Sequence, residues 1–476
     1  MKEASGQRRA HDETSGGQPP ETTANSLAAG VLRRNGLKSW TRPAPTLYPH
    51  QWSWDSAFIA LGLAHTDNAR ATRELESLFA SQWSTGKVPH IVFNPDAPSR
   101  SYFPDAERWN SSALSPHAPT TRHTSGLCQP PVHAIAVNRI WETSREQDER
   151  RVSRAREFLR DNFPRLLNWH RYLATARDPE ESGLVTIYHP WESGTDNSPR
   201  WDGPLEAVPV GEVPSYTRYD LQHVADASHR PTDAEYDRFL WLLELLKRTR
   251  YEEAEIYESH PFLVKDVLFS AILVAANEAL LEIANAVDSP DGDREQIQTW
   301  IDRGRVGIGK CWDPDLRLCL DRDVRTGETS RVRTIAGFAP LISGGLGRDR
   351  MDALLQTLDS PSFAGHSGLR WPLPPSTSPD DPGFHARSYW RGPTWPVANW
   401  LLWWSLLRAG EAARADRLRM DTLDQLAQGG FAEYFEPFTG EPLGSGEQSW
   451  TAAVALDLLA ARTKGPETGP GWADLA

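Results

Sequence analysis

About a dozen segments of this 476-residue chain carry apolar residues at helical spacing, and this periodicity constrains the fold most. The clearest segment, 233–249, follows Thr232, and Glu235 three residues later completes a capping box before an apolar face that starts at Phe239. The same signals predict further helices over residues 26–36, 55–65, 71–83, 132–142, 148–175, 260–287, 296–309, 334–346, 351–358, 396–409, 412–429 and 449–462.

The predicted helices follow one another in pairs, joined by short Gly- and Asp-rich turns and by a few longer loops. Because no period is strict enough for a solenoid, we expect one all-α (α/α)6 barrel, a helical toroid, over residues 26–465, without a sizeable sheet. Residues 1–25 are polar and Gly- and Pro-rich and are expected to be disordered, and residues 466–476 to be a flexible tail. The loops 88–129 and 196–231 are long enough to act as lids.

The composition limits the kinds of molecule that this protein can be expected to bind. A hydrophobic content of 39% is ample for a core, and the net charge of −13 argues against nucleic acid or an anionic membrane as a partner. Cys128, Cys311 and Cys319 lack metal-ligand spacing, so we expect no disulfide framework, no metal and no cofactor. The N-terminus has no apolar core of a signal peptide. A soluble, cytoplasmic protein is expected, and the sequence leaves open whether it forms homo-oligomers.

The stretch 189–202 (HPWESGTDNSPRWD) is a candidate floor of a pocket. Its Gly, Pro and Asn residues indicate a loop, yet it also carries two tryptophans, which are costly to leave in water. Carboxylates are present at Glu192, Asp196 and Asp202. On this stretch alone, a helix-capping turn with solvated acids is an equal alternative.

Two further loops, 48–55 and 433–450, also combine aromatic residues, carboxylates and Gly or Pro before a helix. In a helical barrel such loops converge on one end of the central cavity. Two carboxyl groups that face each other across an indole-lined cavity are what glycosidic cleavage requires, one protonated and one ionised. The 20 Trp of the chain fit this hypothesis, because indole faces pack on the C–H face of a pyranose.

Six blocks occur in order along the chain: QWSWDSAFIALG (51–62), TSGLCQPP (124–131), WESGTDNSPRW (191–201), SHRPTDAEYDRFLWL (228–242), SYWRGPTWPVANW (388–400) and FAEYFEPFTGEPLG (431–444). In this order they resemble the family 63-like (α/α)6-barrel glycosidases, and most closely the mannosylglycerate/glucosylglycerate hydrolase group. The resemblance covers about residues 26–462.

The resemblance implies that Asp196 is the general acid and Glu433 the general base of an inverting glycoside hydrolase. Asp196, flanked by Thr195 and Asn197 beneath indoles, can be desolvated, which raises its pKa. The alternative for either residue is a surface carboxylate that accepts backbone N–H bonds. Glu436 and Glu441 lie close to Glu433 in the sequence and weaken that assignment.

The resemblance also implies a sugar subsite in which Trp52 packs on the pyranose and Asp55 accepts bonds from its hydroxyls. Asp55 is alternatively the cap of the helix that it begins, and the two roles are compatible. Other positions that match the group's pocket are Tyr48, Gln129, Tyr389, Trp390, Trp395 and Gln448. For a single Trp or Tyr, packing in the core is the more common role.

For the leaving group, the resemblance implies that Arg230, Tyr236 and Tyr102 hold a glycerate. Its carboxylate calls for a bidentate Arg, and Arg230 lies just before a helix N-terminus, which also favours an anion. Alternatively, Arg230 pairs with Asp233 at the surface.

The sequence is therefore interpreted as an inverting glycosidase that hydrolyses a 2-O-α-glycosyl-glycerate, either glucosylglycerate or mannosylglycerate, to hexose and glycerate. The resemblance implies turnover of a compatible solute. Alternatives are a trehalase or oligosaccharide α-glucosidase of the same fold, a sugar-binding protein, or an epimerase. An epimerase would use paired histidines, whereas His189 and His229 are interpreted as residues that pack within loops.

Overall fold

The structure, a computed structural model, describes residues 20–223, 226–227 and 230–464. His229, residues 1–19 of the predicted N-terminal tail and all of the predicted tail 466–476 lie outside the described residues. The described helices are α1 (Pro20–Asn35), α2 (Ser53–Leu63), α3 (Asn68–Phe79), α4 (Ala106–Trp109), α5 (Ser111–Leu114), α6 (His133–Arg145), α7 (Glu149–Thr175), α8 (Asp202–Glu206), α9 (Asp233–Arg248), α10 (Glu253–Ser259), α11 (Val267–Ala286), α12 (Asp291–Lys310), α13 (Ala339–Ser343), α14 (Arg348–Leu358), α15 (Pro396–Arg408), α16 (Ala412–Gly429) and α17 (Ser449–Lys464).

Strands are short throughout the part of the chain that the structure describes. They are β1 (Gln51–Trp52), β2 (Ile91–Val92), β3 (Thr186–Ile187), β4 (Val264–Lys265), β5 (Trp312–Asp313), β6 (Leu318–Cys319), β7 (Arg322–Asp323), β8 (Tyr434–Phe435) and β9 (Pro442–Leu443). Antiparallel pairing joins β1 to β2, β5 to β6 and β8 to β9, and β4 lies between β3 and β7. The expectation that no sizeable sheet forms is confirmed for these residues.

Twelve of the helices form two concentric rings. The inner helices α2, α6, α11, α13, α15 and α17 contact one another in turn, and α17 contacts α2, which closes the ring. The outer helices α1, α3, α7, α12, α14 and α16 alternate with them along the chain, and α3, α7, α12 and α16 each contact two successive inner helices. This arrangement is the predicted all-α (α/α)6 barrel, and that prediction is confirmed.

The helices of the inner ring can be apolar all round because the outer helices shield them from solvent. Every residue of α2 is buried. Among the described residues, α11 is the one helix long and apolar enough to cross a membrane, and 83% of its most apolar window is buried by the protein itself. A helix that is apolar all round is either a core helix or a membrane span, and the contacts of α11 with α6, α7, α12 and α13 make it a core helix here.

Capping residues set the ends of several helices. The capping box of α9 forms as predicted: Thr232 Oγ1 accepts the Glu235 N–H at 3.2 Å, and Glu235 accepts the Thr232 N–H at 2.7 Å. The predicted start of α11 at residue 260 was wrong, because Val264–Lys265 pairs as β4 and the Asp266 side chain then caps the helix. Helix α1 starts at Pro20 rather than at residue 26, since proline is well suited to a first helical turn.

The segment 88–129 is more ordered than predicted. It contains β2, α4 and α5, and the Asp105 side chain caps α4 by accepting the Arg108 N–H at 2.9 Å. The loops that precede α2, α6, α11, α15 and α17 collect at the N-terminal end of the inner ring. The predicted functional residues on these loops or in the first turns that follow them are Tyr48, Trp52, Asp55, Gln129, Tyr389, Trp390, Trp395, Glu433 and Gln448. Tyr102 lies between β2 and α4, Asp196 on the loop between α7 and α8, and Arg230 and Tyr236 just before α9 and in its first turn.

Candidate active site

A cavity opens at this end of the inner ring, and such clefts are where small-molecule sites are usually found. It is lined by Leu47, Tyr48, Trp52, Trp54, Asp55, His90, Ser101, Tyr102, Phe103, Gln129, Trp191, Gly194, Asp196, Tyr219, Asp220, Arg230, Pro231, Tyr236, Tyr389, Glu433, Gln448 and Trp450. Both predicted catalytic carboxyl groups therefore face one cavity, together with every predicted substrate-binding residue except Trp390 and Trp395.

Asp196 is half-buried on a loop whose backbone is set by its neighbours. Gly194 has a φ of +72°, and a Cβ at this position would lie 2.5 Å from the Trp54 ring. Only glycine allows both this conformation and this close approach. The Thr195 N–H then donates to Ser193 Oγ at 2.9 Å. The loop therefore presents Asp196 to the cavity in one defined backbone conformation.

Arg200 ties the same loop to the inner ring. Its Nη2 donates to Thr195 Oγ1 at 2.8 Å, and its Nη1 donates to Asp266 at 3.1 Å and to Asp321 at 2.9 Å. All four residues are buried. Because Asp266 also caps α11, the position of Asp196 is linked to the N-terminus of an inner helix.

The other carboxylates of 189–202 serve the architecture. Glu192 accepts two 2.7 Å bonds from Arg177 and further bonds from the backbone N–H groups of Tyr188 (2.8 Å) and Cys128 (3.1 Å). Asp202 pairs with Arg391. Neither residue lines the cavity, so Asp196 is the one carboxyl group of this loop that does. The contact with Glu192 also gives Cys128, for which no function was predicted, a structural role.

Glu433 lies just before β8 and is buried among donors. Its Oε1 accepts from the hydroxyls of Tyr48 at 2.8 Å and Tyr389 at 3.4 Å, and its Oε2 accepts the Ser445 N–H at 3.1 Å. A Cβ on Gly444, which has a φ of +70°, would lie 2.4 Å from Glu433 Oε2. The loop is therefore shaped around this carboxylate.

The two neighbouring glutamates have other partners. Glu436 accepts the Phe438 N–H at 3.0 Å inside its own turn, and Glu441 pairs with Arg387 at 2.6 Å. Neither lines the cavity. Of these three glutamates, Glu433 alone lines the cavity.

Burial raises the pKa of three carboxyl groups in the cavity. Burial raises the pKa of Asp196 to about 7, an effect that Arg230 opposes and the charge of Glu433 increases. Burial also raises the pKa of Glu433, against the effects of Arg230 and of the hydrogen bond from Tyr48. At Asp55, burial raises the pKa well above its ordinary value, and the charge of Glu433 adds to this. A nearby like charge disfavours ionisation of a carboxyl group, and the hydrogen bonds that Glu433 accepts favour its ionised form.

The predicted sugar subsite lies at the start of α2. Trp52 is the N-cap of this helix and Asp55 its third residue, so the alternative in which Asp55 is the cap is wrong. Gln129 Oε1 accepts the Trp54 backbone N–H at 3.3 Å. This bond orients the side-chain amide of Gln129 at the cavity wall. The ring of Trp52 lies edge-to-face with that of Tyr102, with ring centroids 5.1 Å apart.

Trp390 and Trp395 do not line the cavity, and their predicted direct contact with substrate is not supported. Their rings stack with centroids 3.8 Å apart, and the Trp395 ring lies edge-to-face with Tyr389 at 5.1 Å. Tyr389 has a φ of +42°, a strained conformation for a residue with a side chain. The two indoles therefore support Tyr389 from behind, as core packing would.

The three predicted glycerate-binding residues all line the cavity, and Tyr236 interacts electrostatically with both Tyr102 and Arg230. The Arg230 guanidinium lies 4.7 Å from the Tyr389 ring centroid and donates to the Tyr48 hydroxyl at 3.4 Å, and its Nε is buried without a partner among the described residues. Asp233 pairs with Arg218 at 3.0 Å instead, so the alternative surface pair is wrong. The Tyr236 hydroxyl donates to the carbonyl of a neighbouring loop, at residue 103, at 3.0 Å.

Several wall residues were not predicted. They are Leu47, Trp54, His90, Ser101, Phe103, Tyr219, Asp220, Pro231 and Trp450. Most lie within two residues of a predicted position, so proximity was an available signal. His90, Tyr219 and Asp220 had no such signal. Burial lowers the pKa of His90 to about 3, which keeps the imidazole neutral. In the part of the chain that the structure describes, no group of three or more His, Cys, Asp or Glu side chains is arranged to hold a metal.

Carboxyl groups that face one indole-lined cavity of an (α/α)6 barrel are typical of a glycoside hydrolase. The profile of the mannosylglycerate hydrolase MGH1-like glycoside hydrolase domain matches residues 48–451. The chain belongs to this family.

Named relatives agree with that assignment. A glucosylglycerate hydrolase of Mycolicibacterium hassiacum is 47% identical over 443 residues, which are 92% of this chain and 99% of the relative. A mannosylglycerate hydrolase of Thermus thermophilus is 43% identical over 435 residues, 90% of this chain and 99% of the relative. A crystal structure of a GH63 mannosylglycerate hydrolase from Thermus thermophilus, in complex with Tris and D-glycerate, matches with a TM-score of 0.83 at 42% identity, covering 91% of this chain and 99% of that one.

Proposed function

We propose that this chain is an inverting glycosidase that hydrolyses 2-O-α-glycosyl-glycerates to hexose and glycerate. The observation that carries the proposal is Arg230, a buried cation on the cavity wall that forms no ion pair with a carboxylate among the described residues. A buried guanidinium needs an anionic partner, and a carboxylate ligand fits its planar fork. Arg230 also lowers the pKa of Asp196 and Glu433, but its Nε, unpartnered among the described residues, fits a carboxylate ligand better than a neutral leaving group, which disfavours a trehalase or an oligosaccharide α-glucosidase.

The reaction follows from the two carboxyl groups. Asp196, whose pKa of about 7 keeps a large fraction of the carboxyl group protonated near neutral pH, gives its proton to the glycosidic oxygen as the bond to the anomeric carbon breaks. Glu433, ionised, takes a proton from a water molecule that attacks that carbon from the opposite face. The products are a hexose of inverted configuration and free glycerate, and one water is consumed.

The relatives support the substrate class. Proteins 42–47% identical to this chain are named glucosylglycerate or mannosylglycerate hydrolases, and the crystal structure of one contains bound D-glycerate. Both sugars occur in these names, so we propose the shared 2-O-glycosyl-glycerate class and leave the hexose to experiment. The resemblance also favours a cytoplasmic role in the turnover of a compatible solute.

The first test is release of hexose from glucosylglycerate and mannosylglycerate, with trehalose and maltose in parallel. We expect cleavage of at least one glycerate substrate, and loss of this activity in Asp196→Ala and Glu433→Ala. Cleavage of trehalose or maltose alone would overturn the role given to Arg230.

An activated substrate separates the two catalytic roles. Fluoride leaves without a proton, so Asp196→Asn should lose about 100- to 10,000-fold on a glycosyl-glycerate but far less on the α-glycosyl fluoride. Glu433→Gln should be impaired on both substrates. Equal losses of Asp196→Asn on both substrates would contradict its role as general acid.

We further propose that the segments 88–129 and 196–231 act as lids of a single catalytic domain. They contribute Tyr102 and Arg230 to the wall of the cavity, and closure over the glycerate would exclude water. Glycerate at saturating concentration should slow limited proteolysis within both segments. Cleavage rates that do not change would count against the lids.

A further inference from the structure

Arg218 hydrogen-bonds to several groups at the wall of the cavity, close in sequence to Arg230. It donates to both oxygens of Asp220, at 3.1 and 2.7 Å, to the Pro231 carbonyl at 2.7 Å and to Asp233 at 3.0 Å. Its guanidinium also lies 4.5 Å from the centroid of the Tyr236 ring, and its side chain is only 6% exposed. One cation therefore connects a cavity-lining carboxylate to the start of α9.

Asp220 lies beside the two tyrosines assigned to the glycerate. It lines the cavity with Tyr102 and Tyr236. Burial raises the pKa of both tyrosines, and the negative charge of Asp220 adds to this effect at both hydroxyls. The Asp220 carboxylate is therefore close to the place where the leaving group would sit.

The Asp220 carboxylate has acceptor capacity left. A carboxylate offers about four lone-pair sites, and within the described residues Arg218 is the side chain that occupies two of them. The bidentate pair fixes the orientation of the carboxylate and leaves the remaining sites to a donor in the cavity. A hydroxyl of the substrate is such a donor.

We propose that Asp220 accepts a hydrogen bond from the free hydroxyl of the leaving group, so that this residue selects a hydroxylated acid such as glycerate over its deoxy counterpart. Arg218 is the positioning residue that holds Asp220. The proposal rests on the proposed function: glycerate linked through its O2 has one carboxylate, assigned to Arg230, and one hydroxyl at C3, which needs an acceptor of its own.

The test compares 2-O-α-glycosyl-glycerate with 2-O-α-glycosyl-lactate of the same configuration, which lacks only the C3 hydroxyl. Wild-type protein should prefer the glycerate by on the order of 10- to 100-fold in kcat/KM, the range expected for a hydrogen bond to a charged group. In Asp220→Ala this preference should fall to near unity, through loss of activity on the glycerate substrate while activity on the lactate substrate stays nearly constant.

The matched control is Asp233→Asn. Asp233 bonds to the same Arg218, but its side chain is 82% exposed and does not line the cavity, so the preference should persist. Product inhibition of the wild-type enzyme is a second readout that requires no variant: glycerate should inhibit more strongly than lactate.

The outcomes are distinguishable. A wild-type enzyme that cleaves neither substrate would contradict the proposed function itself. Equal cleavage of both by the wild type, or an unchanged preference in folded Asp220→Ala, would overturn the role of Asp220 alone. If Asp220→Ala does not fold, Asp220→Asn, which keeps the shape and loses the charge, should still show a reduced preference.

Discussion

The hydroxyl of Tyr48 contacts Glu433, Tyr389 and Arg230 at once, at 2.8, 3.2 and 3.4 Å. This single group connects the residue proposed as the base to the residue proposed to hold the glycerate. Its bond to Glu433 favours the ionised carboxylate and therefore lowers the pKa of that residue.

Removing this bond should change the pH profile in a defined direction. In Tyr48→Phe the pKa of Glu433 should rise, so the acidic limb of kcat should move to higher pH, and kcat should fall by about ten-fold. Tyr434→Phe is the control, because the Tyr434 hydroxyl has no partner among the described residues and does not line the cavity. An acidic limb that stays in place in Tyr48→Phe would contradict this assignment.

Arg177 and Glu192 form a buried ion pair that lies outside the cavity wall and stabilises the fold. Burial alone would raise the pKa of Glu192, but the charge and hydrogen bonds of Arg177 hold it at about 2. Since this is below the value of about 4.3 expected in the unfolded chain, the pair stabilises the fold above about pH 4.3. That contribution should be lost as pH falls from there towards 2.

Glu192→Gln should therefore reduce the free energy of unfolding by about 3–5 kcal/mol at neutral pH. The difference from the wild type should shrink as pH falls through that window, as measured by denaturant unfolding at several pH values. Glu447→Gln removes one partner of the exposed pair with Arg34 and should cost less than about 1 kcal/mol. A difference that does not depend on pH would show that the lost interaction is not the ion pair.

At the scale of the elements, the loop that carries Asp196 depends on its one left-handed glycine. In Gly194→Ala the Cβ would meet the Trp54 ring at 2.5 Å and the residue would keep an unfavourable positive φ. We expect a loss of about 1–3 kcal/mol of stability together with a lower kcat, because Asp196 lies two residues further on.

Gly203→Ala is the matched control for this loop. Gly203 lies in α8, and a Cβ there would have no neighbour within 4 Å. Its thermal unfolding temperature and kcat should equal those of the wild type. A Gly194→Ala variant with wild-type kcat would mean that the loop adapts without moving the acid.

At the scale of the whole molecule, the contact between α2 and α17 closes the inner ring. A Cβ on Gly62 would lie 2.4 Å from the Cα and 2.5 Å from the carbonyl oxygen of Ala453, both backbone atoms. The first and last inner helices therefore approach as closely as they do because Gly62 has no side chain.

Gly62→Ala should force these helices apart and reduce stability by about 1–3 kcal/mol. Because the ring is closed, we expect one cooperative transition, with tryptophan fluorescence and circular dichroism changing together. Gly292→Ala in α12 should be neutral, since a Cβ there meets nothing within 4 Å. Two separate transitions in the Gly62 variant would show that closure of the ring is not coupled to the rest of the fold.

Short segments of the sequence were sufficient to predict much of this architecture. Apolar spacing and the capping box at Thr232 predicted most helices, because both signals act within a few residues. The motif blocks indicated Asp196, Glu433 and Arg230 for the same reason: each lies in a short, distinctive segment. The prediction was wrong where pairing with residues distant in sequence determines the local structure. Val264–Lys265, predicted as helix, forms β4 because it pairs with β3 and β7.

The tertiary structure alone decided which side chains face the cavity. Glu192 and Asp196 are close in sequence, yet one pairs with Arg177 beneath the loop and the other faces the cavity. Trp390 stands behind Tyr389 rather than beside it in the wall, and Asp220 reaches the wall through its bonds to Arg218. The direction of a side chain in a loop depends on partners distant in sequence, and no local pattern carries that information.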